Sequence, residues 1–153
     1  MPSVLFVCTG NVCRSPMAEV LFIDHLKRSG LDPARWQVGS AGTWTENGYP
    51  ASSNSVEVMK ERGLDLSQHN SRVVTADLLA QFDLILVMES NHKEALTLEF
   101  PSLADRIFML SEMAGEKKTV EDPIGQEISA YRKCADEIQD WIERGWENIL
   151  QRT

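Results

Sequence analysis

Apolar runs and helical spacings alternate along this chain. Val4 to Val7 is an unbroken apolar run, short enough for a buried strand. Met17 to Lys27 then carries Val20, Leu21 and Leu26 at helical spacing, and Ser29-Gly30 closes the helix. Trp36-Gln37-Val38 predicts a second strand, running into a loop of small residues, Gly39-Ser40-Ala41-Gly42-Thr43. Ser52 to Arg62 reads as a helix with Val56 and Met59 inward and Gly63 as its stop, and Thr75 to Gln81 as a short one. Asp83 to Met88 is the clearest buried strand, after which Ser90 caps another helix. Arg106 to Leu110 is a further strand and Gly115 to Gly125 a polar loop. One last helix is expected from about Glu127 to Gln151, with Ile128, Tyr131, Ala135, Ile138, Ile142 and Ile149 on one face. Strands separated by helices imply βαβ units, hence an α/β fold with a parallel sheet covered on both faces. In such folds the functional loops follow the strand C-termini. Cys8, Ser40 and Met88-Glu89 are therefore expected to share one edge.

The chain has 153 residues, 42% of them hydrophobic and 25% charged, which suits one globular domain spanning residues 1–153. No stretch approaches the roughly 18 consecutive apolar residues of a membrane span, and the start lacks a signal-peptide pattern. A cytoplasmic location with no membrane partner is the expectation. The net charge of −8 argues against nucleic acid. Three cysteines, an odd number, argue against a disulfide framework, and no Cys-x-x-Cys or paired-His spacing supports a metal.

The first strand runs directly into Cys8-Thr9-Gly10-Asn11-Val12-Cys13-Arg14-Ser15-Pro16. Pro16 suits the first position of a helix and Ser15 its N-cap, so the intervening loop must curl tightly between strand end and helix start. That geometry aims the backbone N–H groups of Thr9 to Ser15 and the positive helix end at one point, an anion site. Cys8 beneath that point is favoured as thiolate, the form that attacks. Arg14 can hold two oxygens of a tetrahedral anion and follow them as the group flattens in transfer. The Gly-Lys-Ser/Thr of a nucleotide-binding loop is absent.

A thiolate attacking phosphorus must expel a poor leaving group, so a general acid is needed. Asp122, in Glu121-Asp122-Pro123, lies in the polar loop after the final strand, on the expected edge, with Pro123 stiffening the chain. Ser15 can also donate its hydroxyl to Cys8. Asn11 can take a left-handed conformation, which would need polar partners, and Ser40 and His69 are available. His69 reads as a structural, hydrogen-bonded histidine, and His25 and His92 as solvated or packing residues on helices. Cys13 either forms a disulfide with Cys8 on oxidation, sparing it from over-oxidation, or fills space under the loop. Cys134 reads as inert core. Trp44 and Tyr49, after Ser40, are either ordinary aromatics or walls of a cleft that stack on a substrate ring.

With these motifs in view, the chain resembles the low-molecular-weight protein tyrosine phosphatases. The matching residues run from Val7 to Glu19, then Ser40-Ala41-Gly42-Thr43, Ser67-Gln68-His69 with Ser71-Arg72, and Asp122-Pro123. The resemblance implies a flavodoxin-like sheet of four parallel strands. It implies Cys8 as nucleophile, Arg14 as phosphate binder, Asp122 as general acid, and Asn11, Ser15, Ser40 and His69 as the network shaping the loop. Where the family often has tyrosines after Asp-Pro, this chain has Ile124-Gly125, which looks like the bacterial protein arginine phosphatase branch and leaves Ile124 to line the cleft. That branch carries threonine at the position of Val12, whereas an apolar residue there resembles the tyrosine phosphatases. The residue beside the phosphorus carries the greater weight.

Arsenate reductases on the same scaffold need two further cysteines in a mobile segment, and only Cys134, on a helix, is available. A non-catalytic anion-binding module would be expected to lack Cys8 or Asp122. The expectation is thus a cofactor-free phosphotyrosine phosphatase of proteins, monomeric or weakly dimeric, with arginine phosphatase as the alternative.

Overall fold

The computed structural model describes residues 1–153. Four parallel strands form one sheet: β1 (Ser3–Cys8), β2 (Gln37–Gly42), β3 (Leu84–Val87) and β4 (Ile107–Met109), in the order β2-β1-β3-β4. Six helices accompany them: α1 (Arg14–Arg28), α2 (Ser53–Glu61), α3 (Ala76–Ala80), α4 (Ser90–Glu99), α5 (Ile128–Arg144) and α6 (Trp146–Gln151). The chain leaves β1 for β2 on one side and reaches β3 on the other. The strand order therefore reverses at β1, the switch point where doubly wound sheets bind ligands. This is the flavodoxin-like arrangement expected.

Alternation along β1 divides the core. Val4, Phe6 and Cys8 face a cluster built with Met17, Phe22, Tyr131, Ile138 and Ile142 from α1 and α5. Leu5 and Val7 face a second cluster containing Leu79, Phe82 and Leu96. Helices thus cover both faces. Phe22 anchors the first cluster, its ring 5.6 Å from those of Phe6 and Trp36 and 5.4 Å from that of Trp146. Such pairs are worth about 0.5–1.5 kcal/mol each beyond their buried area.

Four sequence expectations are corrected. The small-residue segment after Val38 is strand, not loop: Gly39 to Gly42 pair with Leu5 to Cys8. Small size there serves close approach, since a Cβ on Gly42 would lie 2.6 Å from the Thr9 carbonyl oxygen. The final helix is two, broken at Gly145, where a Cβ would come within 2.6 Å of the Met113 Cβ. Ser15 is not the N-cap of α1. The helix starts at Arg14, with Cys13 at the cap and no side-chain cap bond, and Pro16 sits in the third position, where its missing N–H is still free of cost. Similarly, α4 opens at Ser90 behind Glu89, and no side chain caps it.

Candidate active site

β1 ends at Cys8, and α1 starts six residues later, so the connection must turn back on itself. The tightest point falls at Asn11, fully buried, with φ of +56°. Asparagine tolerates this left-handed backbone better than most residues, and three bonds hold it there. Its Nδ2 donates to Ser15 Oγ at 2.8 Å, its Oδ1 accepts from the Arg72 backbone at 3.0 Å, and its carbonyl lies 2.7 Å from His69 Nε2. A carbonyl only accepts, so His69 carries its proton on Nε2. The loop also leans on the end of β2: the backbone N–H groups of Thr43 and Trp44 donate to the carbonyls of Cys8 and Thr9.

The backbone N–H groups of residues 10 to 15 donate to no protein acceptor. Converging donors of this kind at a helix N-terminus form a nest for an anion. Cys8 Sγ lies 3.0 Å from Ser15 Oγ. The same hydroxyl accepts from Asn11 Nδ2 and lies 3.4 Å from the Ala41 carbonyl, to which it can also donate. A chain of polar contacts thus runs from Asn11 through Ser15 to Cys8.

Arg14 is almost fully buried. Its Nη1 donates to Glu89 Oε2 at 2.7 Å and to the Val120 carbonyl at 2.8 Å. Burial alone would lower its pKa, but the facing Cys8, Glu89 and Asp122 raise it, so the charge is secure. Nε is buried with no partner, and Nη2 lies 3.5 Å from Thr9 Oγ1 and 3.6 Å from Asp122 Oδ2. Two parallel N–H donors thus remain for an incoming oxyanion, the fork that suits phosphate. Asp122, partly exposed, accepts the Ile124 N–H on Oδ1 at 3.1 Å. Cys8, Thr9, Gly10, Val12, Cys13, Arg14, Asp122 and Ile124 line one cavity of about 230 Å³.

Other expected site residues fall elsewhere. The Ser40 hydroxyl is buried and makes no bond to Asn11. Within β2 its carbonyl accepts from Arg72 Nε at 3.0 Å. Trp44 is 85% exposed and Tyr49 about half exposed, with its hydroxyl on Glu46, and neither lines the cavity. Ile124 does. His25 packs edge-on against Trp146 at 4.3 Å, as a packing residue would. His92 is no solvated residue: it is buried, with Nε2 2.9 Å from Thr9 Oγ1. The sequence places Glu89 on the functional edge and Arg72 among the matching residues, but it assigns neither its role: Glu89 anchors Arg14, and Arg72 holds Asn11 through its backbone N–H. Glu89 stands two residues beyond the end of β3, and that place at the strand's C-terminal edge is its signal in the sequence.

Cys13 donates to Ser52 Oγ at 3.4 Å and to the Tyr131 hydroxyl at 3.8 Å, and burial pushes its thiol pKa up. Cys134, deep in α5, is pushed up to about 12 by burial, in keeping with an inert core thiol.

This geometry has close parallels. The family model for low molecular weight phosphotyrosine protein phosphatase matches residues 3–152. A probable low molecular weight protein-tyrosine-phosphatase, EpsP, of Ralstonia nicotianae is 36% identical over 92% of this chain and 91% of its own length. The protein-arginine-phosphatase of Bacillus subtilis is also 36% identical, over 92% of both chains. The crystal structure of a low molecular weight protein tyrosine phosphatase from T. tengcongensis is 42% identical and superposes with a TM-score of 0.89, covering 97% of this chain and 99% of that one. The chain belongs to the low molecular weight phosphotyrosine protein phosphatase family.

Proposed function

We propose that this protein hydrolyses phosphotyrosine in proteins through a cysteinyl-phosphate on Cys8. The observation that carries the reading is the cavity where Cys8, the free edge of Arg14, the unpaired loop N–H groups and Asp122 meet. The N–H groups and Arg14 Nε and Nη2 bind the phosphoryl oxygens. The Cys8 thiolate attacks phosphorus as protonated Asp122 gives its proton to the departing tyrosyl oxygen. Asp122, now a carboxylate, takes a proton from water, which attacks the phosphocysteine and releases phosphate and the thiolate. Transition-state charge meets donors already fixed in place, where preorganisation counts most. No helix is long and apolar enough to cross a membrane. A cytoplasmic enzyme, monomeric or weakly dimeric, acting on phosphorylated protein substrates completes the reading.

Arginine phosphatase is the second reading, favoured by Ile124-Gly125 and by the relative of that name. Val12 supports the first. It lines the cavity and offers no polar contact to a guanidino nitrogen. Wild-type kcat/KM is expected to favour a phosphotyrosine peptide over a phosphoarginine peptide by at least about tenfold, or 1.4 kcal/mol. Val12→Thr, close in shape, is expected to shift that ratio toward phosphoarginine. A wild-type preference for phosphoarginine would reverse the assignment.

Redox sensitivity belongs to the same reading. Peroxide oxidises Cys8 to a sulfenic acid, the Cys13 thiol attacks its sulfur, and a disulfide and water result. Mild peroxide is expected to inactivate the enzyme, and added thiol to restore it. Cys13→Ser is expected to make recovery incomplete as oxidation proceeds past the sulfenic acid. Equal recovery in both proteins would leave Cys13 a packing residue.

A further inference from the structure

His92 is 2% exposed, yet it sits in the first turn of α4 among polar neighbours, Ser90, Asn91 and Lys93. A histidine taken out of water needs a partner, and this one has only Thr9 Oγ1, 2.9 Å from Nε2, with Glu89 Oε2 beyond at 3.7 Å. Its Nδ1 is buried and bonds to nothing. That asymmetry selects the tautomer. A proton on Nδ1 would leave a buried N–H unpaired, while a proton on Nε2 leaves only an unpaired acceptor, the lesser penalty. The Glu89 carboxylate also favours the proton on the nitrogen that faces it. Burial and the Arg14 cation lower the imidazole pKa, against the pull of Glu89 and Asp122, so the ring is neutral.

Nε2–H therefore donates to Thr9 Oγ1, the oxygen that also lies 3.5 Å from Arg14 Nη2. Glu89 and Val120 hold the opposite corner of the same guanidinium through Nη1. We propose that His92 is a positioning residue for phosphoryl transfer, fixing the Thr9 hydroxyl so that Arg14 is held at both corners with its Nε–Nη2 edge toward the cavity. It touches neither substrate nor the reacting atoms and acts through Thr9. The inference rests on the reading of Arg14 as the phosphoryl binder. A guanidinium free to tilt still binds a tetrahedral anion, but it loses more where the flattened group demands one alignment.

The test uses the full-length protein with p-nitrophenyl phosphate as substrate, and inorganic phosphate and vanadate as inhibitors. His92→Ala is expected to lower kcat by about tenfold and weaken vanadate about as much, while phosphate weakens by under about threefold. His92→Gln places an amide N–H near the position of Nε2 and is expected to recover kcat to within about threefold of wild type. Thr9→Val is expected to match His92→Ala. The double variant is expected to lie within about twofold of either single one, because both remove one link. A kcat for His92→Ala within twofold of wild type, or losses that multiply in the double variant, would overturn the proposal. So would phosphate and vanadate weakening alike, or no recovery in His92→Gln. Arg14→Ala in the same assay separates the two claims: unimpaired turnover there would overturn the reading of Arg14 itself.

Discussion

Cys8→Ser is expected to slow hydrolysis of a phosphotyrosine peptide by more than about a thousandfold, a barrier increase of about 4 kcal/mol. The affinity for inorganic phosphate should stay within about threefold of wild type. The split follows from which atoms do which job. Binding rests on backbone N–H groups and on Arg14, whose anchor is Glu89 and the Val120 carbonyl, none of which involves the sulfur. Attack rests on the thiolate alone. A serine oxygen there would have beside it the Ser15 hydroxyl, itself bonded to Asn11 Nδ2 and in reach of the Ala41 carbonyl. No base stands by to activate an alcohol, which is a weak nucleophile at neutral pH without one. Single-turnover measurement with radiolabelled phosphopeptide checks the result. A Cys8→Ser enzyme retaining more than about one hundredth of the wild-type rate, a loss under roughly 3 kcal/mol, would overturn covalent catalysis by Cys8.

Much of this arrangement is legible in the sequence because its signals are local. β1 and β3 are continuous apolar runs, as buried parallel strands must be, and Ser52 and Thr75 cap their helices with side-chain oxygens. Asn11 advertises its left-handed turn by residue type. What stays hidden depends on residues distant in sequence. Ser15 looks like an N-cap, but its hydroxyl is taken by Cys8 and Asn11, so α1 begins earlier. The apolar period of the last helix continues through Ile149, so the break at Gly145 leaves no trace in the spacing. The contact with Met113 that demands glycine there crosses from another part of the chain. His92 illustrates the limit best. Its neighbours in sequence are those of an exposed helix turn, and only the return of β3 beside β1 buries it against Thr9. Ser40 errs the other way, since its place after an apolar segment suggests a loop while pairing with Phe6 locks it into β2.

Asp122→Asn should reveal its effect through the leaving group. With phosphotyrosine the rate of cysteinyl-phosphate formation is expected to fall by about 10²–10⁴-fold, the usual cost of a lost general acid. With p-nitrophenyl phosphate, whose leaving group needs little protonation, the same step should fall by much less, under about tenfold. The asparagine keeps an acceptor for the Ile124 N–H, so the loop geometry is retained and the comparison isolates the proton. Removing the carboxylate also takes one negative group from beside Arg14 Nη2, which favours phosphate binding and cannot by itself account for a slower reaction. The second step behaves differently. Water attacking the phosphocysteine needs the Asp122 carboxylate as base whichever substrate was used, so breakdown of the intermediate should slow equally for both. The variant is therefore expected to release nitrophenolate in a burst and then turn over slowly, with phosphate trapped on Cys8. Equal slowing of both substrates in the first step, or the absence of a burst, would assign the proton to another group.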